Sequence, residues 1–429
     1  MKPMINKCHF VLIFFALLFL NSCVPQYTKT ENLPTKLDYK ATTQPSVDLP
    51  LIETPYPIET EGSTATLAIP TTETQEEGNE FTYYLNRERM DQVCLGFPQL
   101  QIFEPHNFED YYLSYVLEQD SLSLISIEDD TVNPLHVSEF PDGYLDGLRE
   151  FEYPWYTYSV TGLSQGFGEW NLHLVNIEDG TNTIIAQREK FGSYSLHNDI
   201  SLDQSKLYLV SSKFDGSKVL SSQVYAIDLG NKETTLIIEN PDEDKYISII
   251  SASNGYLVLE HEEPKSDVGF YLSLYDVNNK SFTDLPQTYP ASMPDIEYPY
   301  VVWKNNKRFE QPTSFTVYNI ETGVSTVREI KNSYSINLSI SNGFVITDAL
   351  TGRNPSRNSV ILYSIDNGDT YAIQIGTNDV RVNDVYLDNQ NITWAFTAFT
   401  KVNEYSSYIC KLSLEDLFSD SVEGIESSQ

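Results

Sequence analysis

From about residue 81 onward, apolar and polar residues alternate in short runs, as in Leu124-Ile125-Ser126-Ile127 and Leu274-Tyr275-Asp276-Val277, and Asn, Asp and Gly separate the runs. A period of two bounded by turn residues predicts half-buried strands. The pattern also recurs over a longer distance. An alternating strand, a polar turn and a second short strand appear around Ile127, Ile177, Leu229, Val277, Ile320 and Ile365, with a weaker copy at Leu414. Taking the apolar residue before each turn as an anchor, the intervals are 50, 52, 48, 43, 45 and 49. A unit of this length holding about four strands cannot bury both faces alone and must pack against its neighbours. That predicts an all-β chain folded as a β-propeller. Seven anchors predict seven blades, with six as the runner-up.

The N-terminal part has other textures. Lys2 and Lys7 flank the start of an apolar run, Cys8–Leu20, of about 13 residues. That is shorter than the roughly 20 residues a membrane-crossing helix needs, and it has the proportions of a signal-peptide core. Residues 23–80 are rich in Thr, Pro and Glu and keep no period, which predicts a disordered stalk. A Pro-rich docking peptide is the alternative. Residues 81–418 would form the propeller, and 419–429 an acidic, Ser-rich disordered tail.

Two resemblances sharpen this organisation. The run ending Leu20-Asn21-Ser22-Cys23 resembles the lipobox of bacterial lipoproteins. The resemblance implies cleavage after residue 22, acylation of Cys23 and anchoring to the lipid bilayer at the extracytoplasmic face of a cell membrane or outer membrane. An ordinary signal peptide or an uncleaved anchor is the competing reading. Within the body, Ile200-Ser201-Leu202-Asp203-Gln204-Ser205-Lys206-Leu207-Tyr208-Leu209, followed by Val224-Tyr225-Ala226-Ile227-Asp228-Leu229, resembles the repeat of TolB-type, WD40-like propellers. Asp388–Phe396, Ser341–Ile346 and Glu297–Trp303 echo its first half. The Trp-Ser-Pro-Asp-Gly core of that repeat is degraded in every copy, so the resemblance concerns architecture.

A ring of blades must close, because an open blade exposes unpaired edges. The last unit lacks a convincing fourth strand, and the segment 81–86 is the expected donor. Cys94 and Cys410 are the two cysteines outside the leader and the lipobox, an even number in an exported chain. A disulfide between them would staple the ends of the ring; two buried free thiols are the other possibility.

Charge and chemistry narrow the function. Acids outnumber bases 61 to 27, for a net charge of −34, which excludes nonspecific nucleic-acid binding. Gly162-Leu163-Ser164-Gln165-Gly166 spells G-x-S-x-G, but the stretch Gly162–Gly168 reads as a loop between strands; neither H-E-x-x-H nor C-x-x-C occurs, and no cofactor or metal is expected. The many Asp and Glu of the turns read as solvated. Candidate binding residues at the channel mouth are His197, Asn198 and Asp199 on one inner strand, Asn337 on a second, and Arg381, Asn383 and Asp384 on a third. The expected role is non-catalytic binding of a protein or other envelope component, with a glycan as the other partner class. The rival is a carbohydrate-active or other hydrolytic propeller working through channel carboxylates.

Overall fold

The computed structural model describes residues 72–73 and 78–423, apart from short breaks at 109–110, 139–142, 163–168, 192–199, 216–217, 241–245, 264–268, 287–289, 307–313, 330–332, 335–337, 352–357, 377–379, 389, 402–403 and 421. The leader, Cys23 and most of the stalk lie outside the described residues.

The described strands form seven antiparallel sheets, one for each repeat, making a seven-bladed propeller. In blade 3 the strands run Ile200–Asp203, Lys206–Asp215, Lys218–Asp228 and Thr234–Asn240, from first to fourth in sheet order. The other blades follow the same order, and the first strands of successive blades pack against one another around the axis. Each seam between blades holds its own apolar core. Trp170, Leu172 and Leu174 of blade 2 meet Ile200, Leu207 and Leu209 of blade 3, and Val302 and Phe315 of blade 5 meet Leu338, Ile340 and Val345 of blade 6. No sheet has a core to itself, which is why alternation within each repeat had to be matched by the repeat next to it.

The anchors are the residues just after each third strand. Their backbone N–H groups donate to the turn between the first two strands of the same blade: Ile177 to Pro154 O, Leu229 to Ser205 O, Val277 to Gly255 O, Ile320 to Pro299 O, Ile365 to Gly343 O and Leu414 to Gln390 O, at 2.8–3.0 Å. The polar residue before each anchor caps the following turn. Asp228 Oδ1 accepts from Gly230 and Asn231, Asp276 Oδ1 from Asn278 and Asn279, and Asn319 Oδ1 from Glu321 and Thr322. These are Asx turns, and they account for much of the repeated Asp and Asn.

Ring closure differs from the expectation. The fourth strand of blade 7 is Cys94–Pro98, antiparallel to Glu404–Ser413. The expected donor forms the strand Glu80–Leu85, which instead adds in parallel to Thr370–Ile375 at the rim of blade 6. The reason is legible in the packing. Tyr83 and Leu85 face inward and join the core between blades 6 and 7, whereas Leu95 and Phe97 alternate with Cys94 and Gly96 and face the core shared with blade 1. Gly96 and Pro98 weaken the strand signal of the true closing segment. Cys94 and Cys410 stand opposite each other in that ladder and are disulfide-bonded, with Cα atoms 4.0 Å apart.

Structure also extends past the expected domain ends. Thr72–Glu73, inside the segment read as stalk, pairs in parallel with Ser325–Glu329 of blade 5. A helix, Leu414–Asp420, and the short strand Val422–Glu423, which pairs with Glu80–Leu85, reach into the segment read as tail. The chain entering the propeller thus runs along the rims of blades 5 and 6, turns through the helix Arg87–Val93 and closes blade 7.

Candidate functional site

The axial space is lined by the first strands, and five of them carry a bulge: between Phe103 and His106, Leu145 and Glu150, Ile247 and Ile249, Ser292 and Asp295, and Val382 and Asp384. A bulge places an extra residue in the strand and re-aims its neighbours. Glu104 (φ 53°) and Met293 (φ 52°) sit in two of these bulges in the left-handed region. Their turned amides donate to carboxylates of the preceding blade, Glu104 N–H to Asp384 Oδ2 at 3.1 Å and Met293 N–H to Glu260 Oε2 at 2.7 Å.

The same device recurs at the inner hairpins. Asp203 accepts from Asn254 N–H and Gly255 N–H of blade 4 at 3.0 and 2.8 Å, and Glu297 accepts from Asn342 N–H and Gly343 N–H of blade 6 at 2.8 and 3.1 Å. Ser253 Oγ does the same for Tyr298 N–H, and Glu152 Oε1 for Gln204 N–H. Asp295 spans three blades: Ser251 Oγ of blade 4 donates to its Oδ1 at 2.6 Å, and Ile340 N–H of blade 6 donates to its Oδ2 at 2.8 Å.

The channel interior is strongly desolvated. Burial pushes the Glu150 carboxyl up to about 8, and the Asp295 carboxylate adds to the effect, while Leu202 N–H opposes it. Asp295 is raised by burial too, against the hydrogen bonds it accepts. Glu150 and Asp295 belong to blades 2 and 5, which are not neighbours, so their mutual influence acts across the axial space. At neutral pH Glu150 carries a proton. His106 of blade 1 stacks on Phe151 of blade 2 (4.9 Å between ring centroids) and against Tyr386 of blade 7 (4.7 Å). Burial holds its imidazole down at about 3, so it is neutral. Chemically, the channel offers two desolvated carboxyls, Glu150 and Asp295, both raised by burial, and a neutral imidazole among aromatic rings.

The predicted site residues fall into three groups. His197, Asn198, Asp199 and Asn337 lie outside the described residues, as does Cys23. Asn383 and Asp384 are brought together, at the seam with blade 1. Asn383 Nδ2 donates to Ile102 O at 2.7 Å and to Thr397 Oγ1 at 3.0 Å, and Asp384 holds the Glu104 amide. Arg381, on the same strand, is exposed. Glu150, Asp295 and His106 were missed. Each sits at a bulge, where the period of two breaks, and the break in alternation was the available signal.

No family model matches the sequence, and no curated protein matches it. Solved structures do show similarity. A TolB from Acinetobacter baumannii matches at 12% identity with a TM-score of 0.39, over 67% of this chain and 65% of that one. An oligogalacturonate lyase from Vibrio parahaemolyticus matches at 11% identity and 0.49, over 73% and 91%. The β-propeller domain of the Trilobed protease from Pyrococcus furiosus matches at 10% identity and 0.49, over 73% and 93%. The chain thus spans a little under two thirds of the TolB structure.

Proposed function

We propose that this protein is a lipid-anchored, extracytoplasmic propeller that binds a protein or other envelope component without catalysing a reaction. One observation carries the non-catalytic part. The inner carboxylates a hydrolytic propeller would use are engaged in joining blades: Asp203, Glu297, Asp295 and Asp384 each accept a backbone N–H of the next blade. A carboxylate that holds two blades together is not available to move toward a substrate. The anchor rests on the apolar run Cys8–Leu20 and the Leu20-Asn21-Ser22-Cys23 sequence, with acylation at Cys23. With a net charge of −34 the body is repelled by anionic lipid, so the acyl chains do the holding.

A second reading has one specific support. Glu150, protonated at neutral pH and electrostatically coupled to Asp295, resembles the acid half of a glycosidase carboxyl pair. Capture from envelope extracts, run beside a glycan array and hydrolysis assays, separates the two. A captured protein with no glycan turnover supports the binding reading; turnover abolished by Glu150→Gln overturns it. Labelling with a radioactive fatty acid tests the anchor: incorporation lost in Cys23→Ser supports it, and incorporation that persists overturns it.

A further inference from the structure

The fourth strands of the blades differ in a way that sorts them. In blades 1, 2 and 3 the ladder between third and fourth strands shifts register at equivalent places, Leu122/Ser123, Leu172/His173 and Val224/Tyr225. In blades 5, 6 and 7 it passes that place without a shift, and in blade 4 the ladder spans only Ser273–Asp276 and ends there. A bulge twists an edge away from an incoming strand, and an unbulged edge is a template for one. Two of the four unbulged edges carry an added strand: Thr72–Glu73 on blade 5 and Glu80–Leu85 on blade 6, both parallel to their hosts. Among the described residues, Ser281–Asp284 of blade 4 and Cys94–Pro98 of blade 7 carry none, and the blade 7 edge holds Pro98.

The additions share a register. Thr72 pairs with Ser325 and Glu80 with Thr370, each partner five residues beyond its blade's anchor, Ile320 or Ile365. The corresponding position in blade 4 is Phe282, five beyond Val277. Phe282 is 54% exposed, and all four residues of its strand are exposed. The strand carries neither the Lys nor the Pro that commonly blunts an edge; blade 1 has Pro134 in its fourth strand.

We propose that the rim of blade 4 is a docking edge for an extended segment of a partner protein, added parallel to Ser281–Asp284 and opposite Phe282. The strand Glu80–Leu85 shows what such a segment needs: apolar side chains at alternate positions, as Tyr83 and Leu85 turn into the core while Tyr84 faces out. The occupant carries basic residues beside that strand, because a chain of net charge −34 repels another acidic one, a second copy of itself included. This inference rests on reading the propeller as a binding module and locates that binding at the rim.

The probe is a synthetic peptide of the sequence Asn-Glu-Phe-Thr-Tyr-Tyr-Leu-Asn, taken from residues 79–86, with two lysines appended. Added to the full chain, it is expected to slow amide hydrogen exchange of residues 281–284 about tenfold. Phe282→Lys should weaken peptide binding at least tenfold, whereas Leu236→Lys, on the bulged rim of blade 3, should leave it unchanged. Both sites are exposed, and an unchanged near-ultraviolet circular dichroism spectrum checks the fold. Protection on blades 2 or 3 instead, or equal binding by the Phe282 variant, overturns the proposal. Protection of 281–284 without peptide also overturns it: if it persists on dilution it assigns the edge to this chain's own N-terminal segment, and if it fades, to a second copy. If the peptide fails while envelope proteins are still captured, the rim site alone falls; if capture fails as well, the binding reading falls with it.

Discussion

The backbone N–H of Ile340 donates to Asp295 Oδ2 at 2.8 Å, so a side chain of blade 5 fixes the first strand of blade 6. Ser251 of blade 4 donates to the other oxygen, and one carboxylate therefore spans three blades. Replacing Asp295 with Ala removes the acceptor of three part-buried donors, Ser251 Oγ–H, Ile340 N–H and Ile296 N–H, at about 1 kcal/mol for each. Asp295→Ala is expected to lower the denaturant midpoint by an amount corresponding to about 3 kcal/mol, and Asp295→Asn, which keeps one acceptor oxygen, by less. Equal, negligible losses in urea titrations would remove the seam role assigned to this residue.

The pH dependence of stability carries the mark of Glu150. Its folded-state value, about 8, lies above the ordinary 4.5, so the folded chain keeps a proton that the unfolded chain has already released. The sign follows: this contribution is complete below about 4.5 and is lost as pH rises to about 8. Glu150→Gln should flatten that limb of the melting temperature against pH. Asp295→Asn removes a charge that favours the proton, and should move the upper end of the limb downward. His106, held near 3, acts oppositely, and its contribution fades as pH falls from 6.5 toward 3. His106→Gln should make the acid limb shallower, with the alkaline limb unchanged.

The Cys94–Cys410 bond closes a loop of 316 residues. In the chain-entropy model this restricts the unfolded chain by about 6 kcal/mol. Cys94→Ser/Cys410→Ser, or reduction of the wild type, should lower the urea midpoint strongly while the folded chain keeps its β-sheet circular dichroism. A midpoint unaffected by reductant would show that the bond does not restrain the unfolded chain.

Gly78 marks a close passage of the entering chain over the rim. A Cβ there would collide with the backbone carbonyl of Gly368, in the turn between the third and fourth strands of blade 6. Gly368 itself has φ +78° and its N–H donates to Ser364 O, so the turn is poorly able to yield. Gly78→Ala should displace the chain from this turn and cost about 1–3 kcal/mol. Faster proteolysis just before residue 80, with the blades otherwise protected, is the expected readout.

Much of the architecture was legible because propeller packing demands repetition. Anchors from Ile177 to Leu414 recur since each donates to the same turn, and Asp228, Asp276 and Asn319 recur since each caps the next one. What escaped was non-repetitive. Cys94–Pro98 closes the ring with a Gly and a Pro in the strand, and Glu80–Leu85, with the better alternation, pairs in parallel elsewhere. Parallel addition at a rim leaves no hairpin turn to read. At the axis, Glu150, Asp295 and His106 stand where bulges break the alternation, so the pattern that located the blades was silent there.

The closing strand is among the first propeller segments to be made, and its partner, Glu404–Ser413, is nearly the last. During synthesis, blades 1 to 6 must therefore wait as an open crescent, with Phe97 and Ile102 lacking Ile409 until the final residues emerge. A ribosome that stops a few dozen codons early would release a crescent that cannot shut, and its exposed flank would invite degradation.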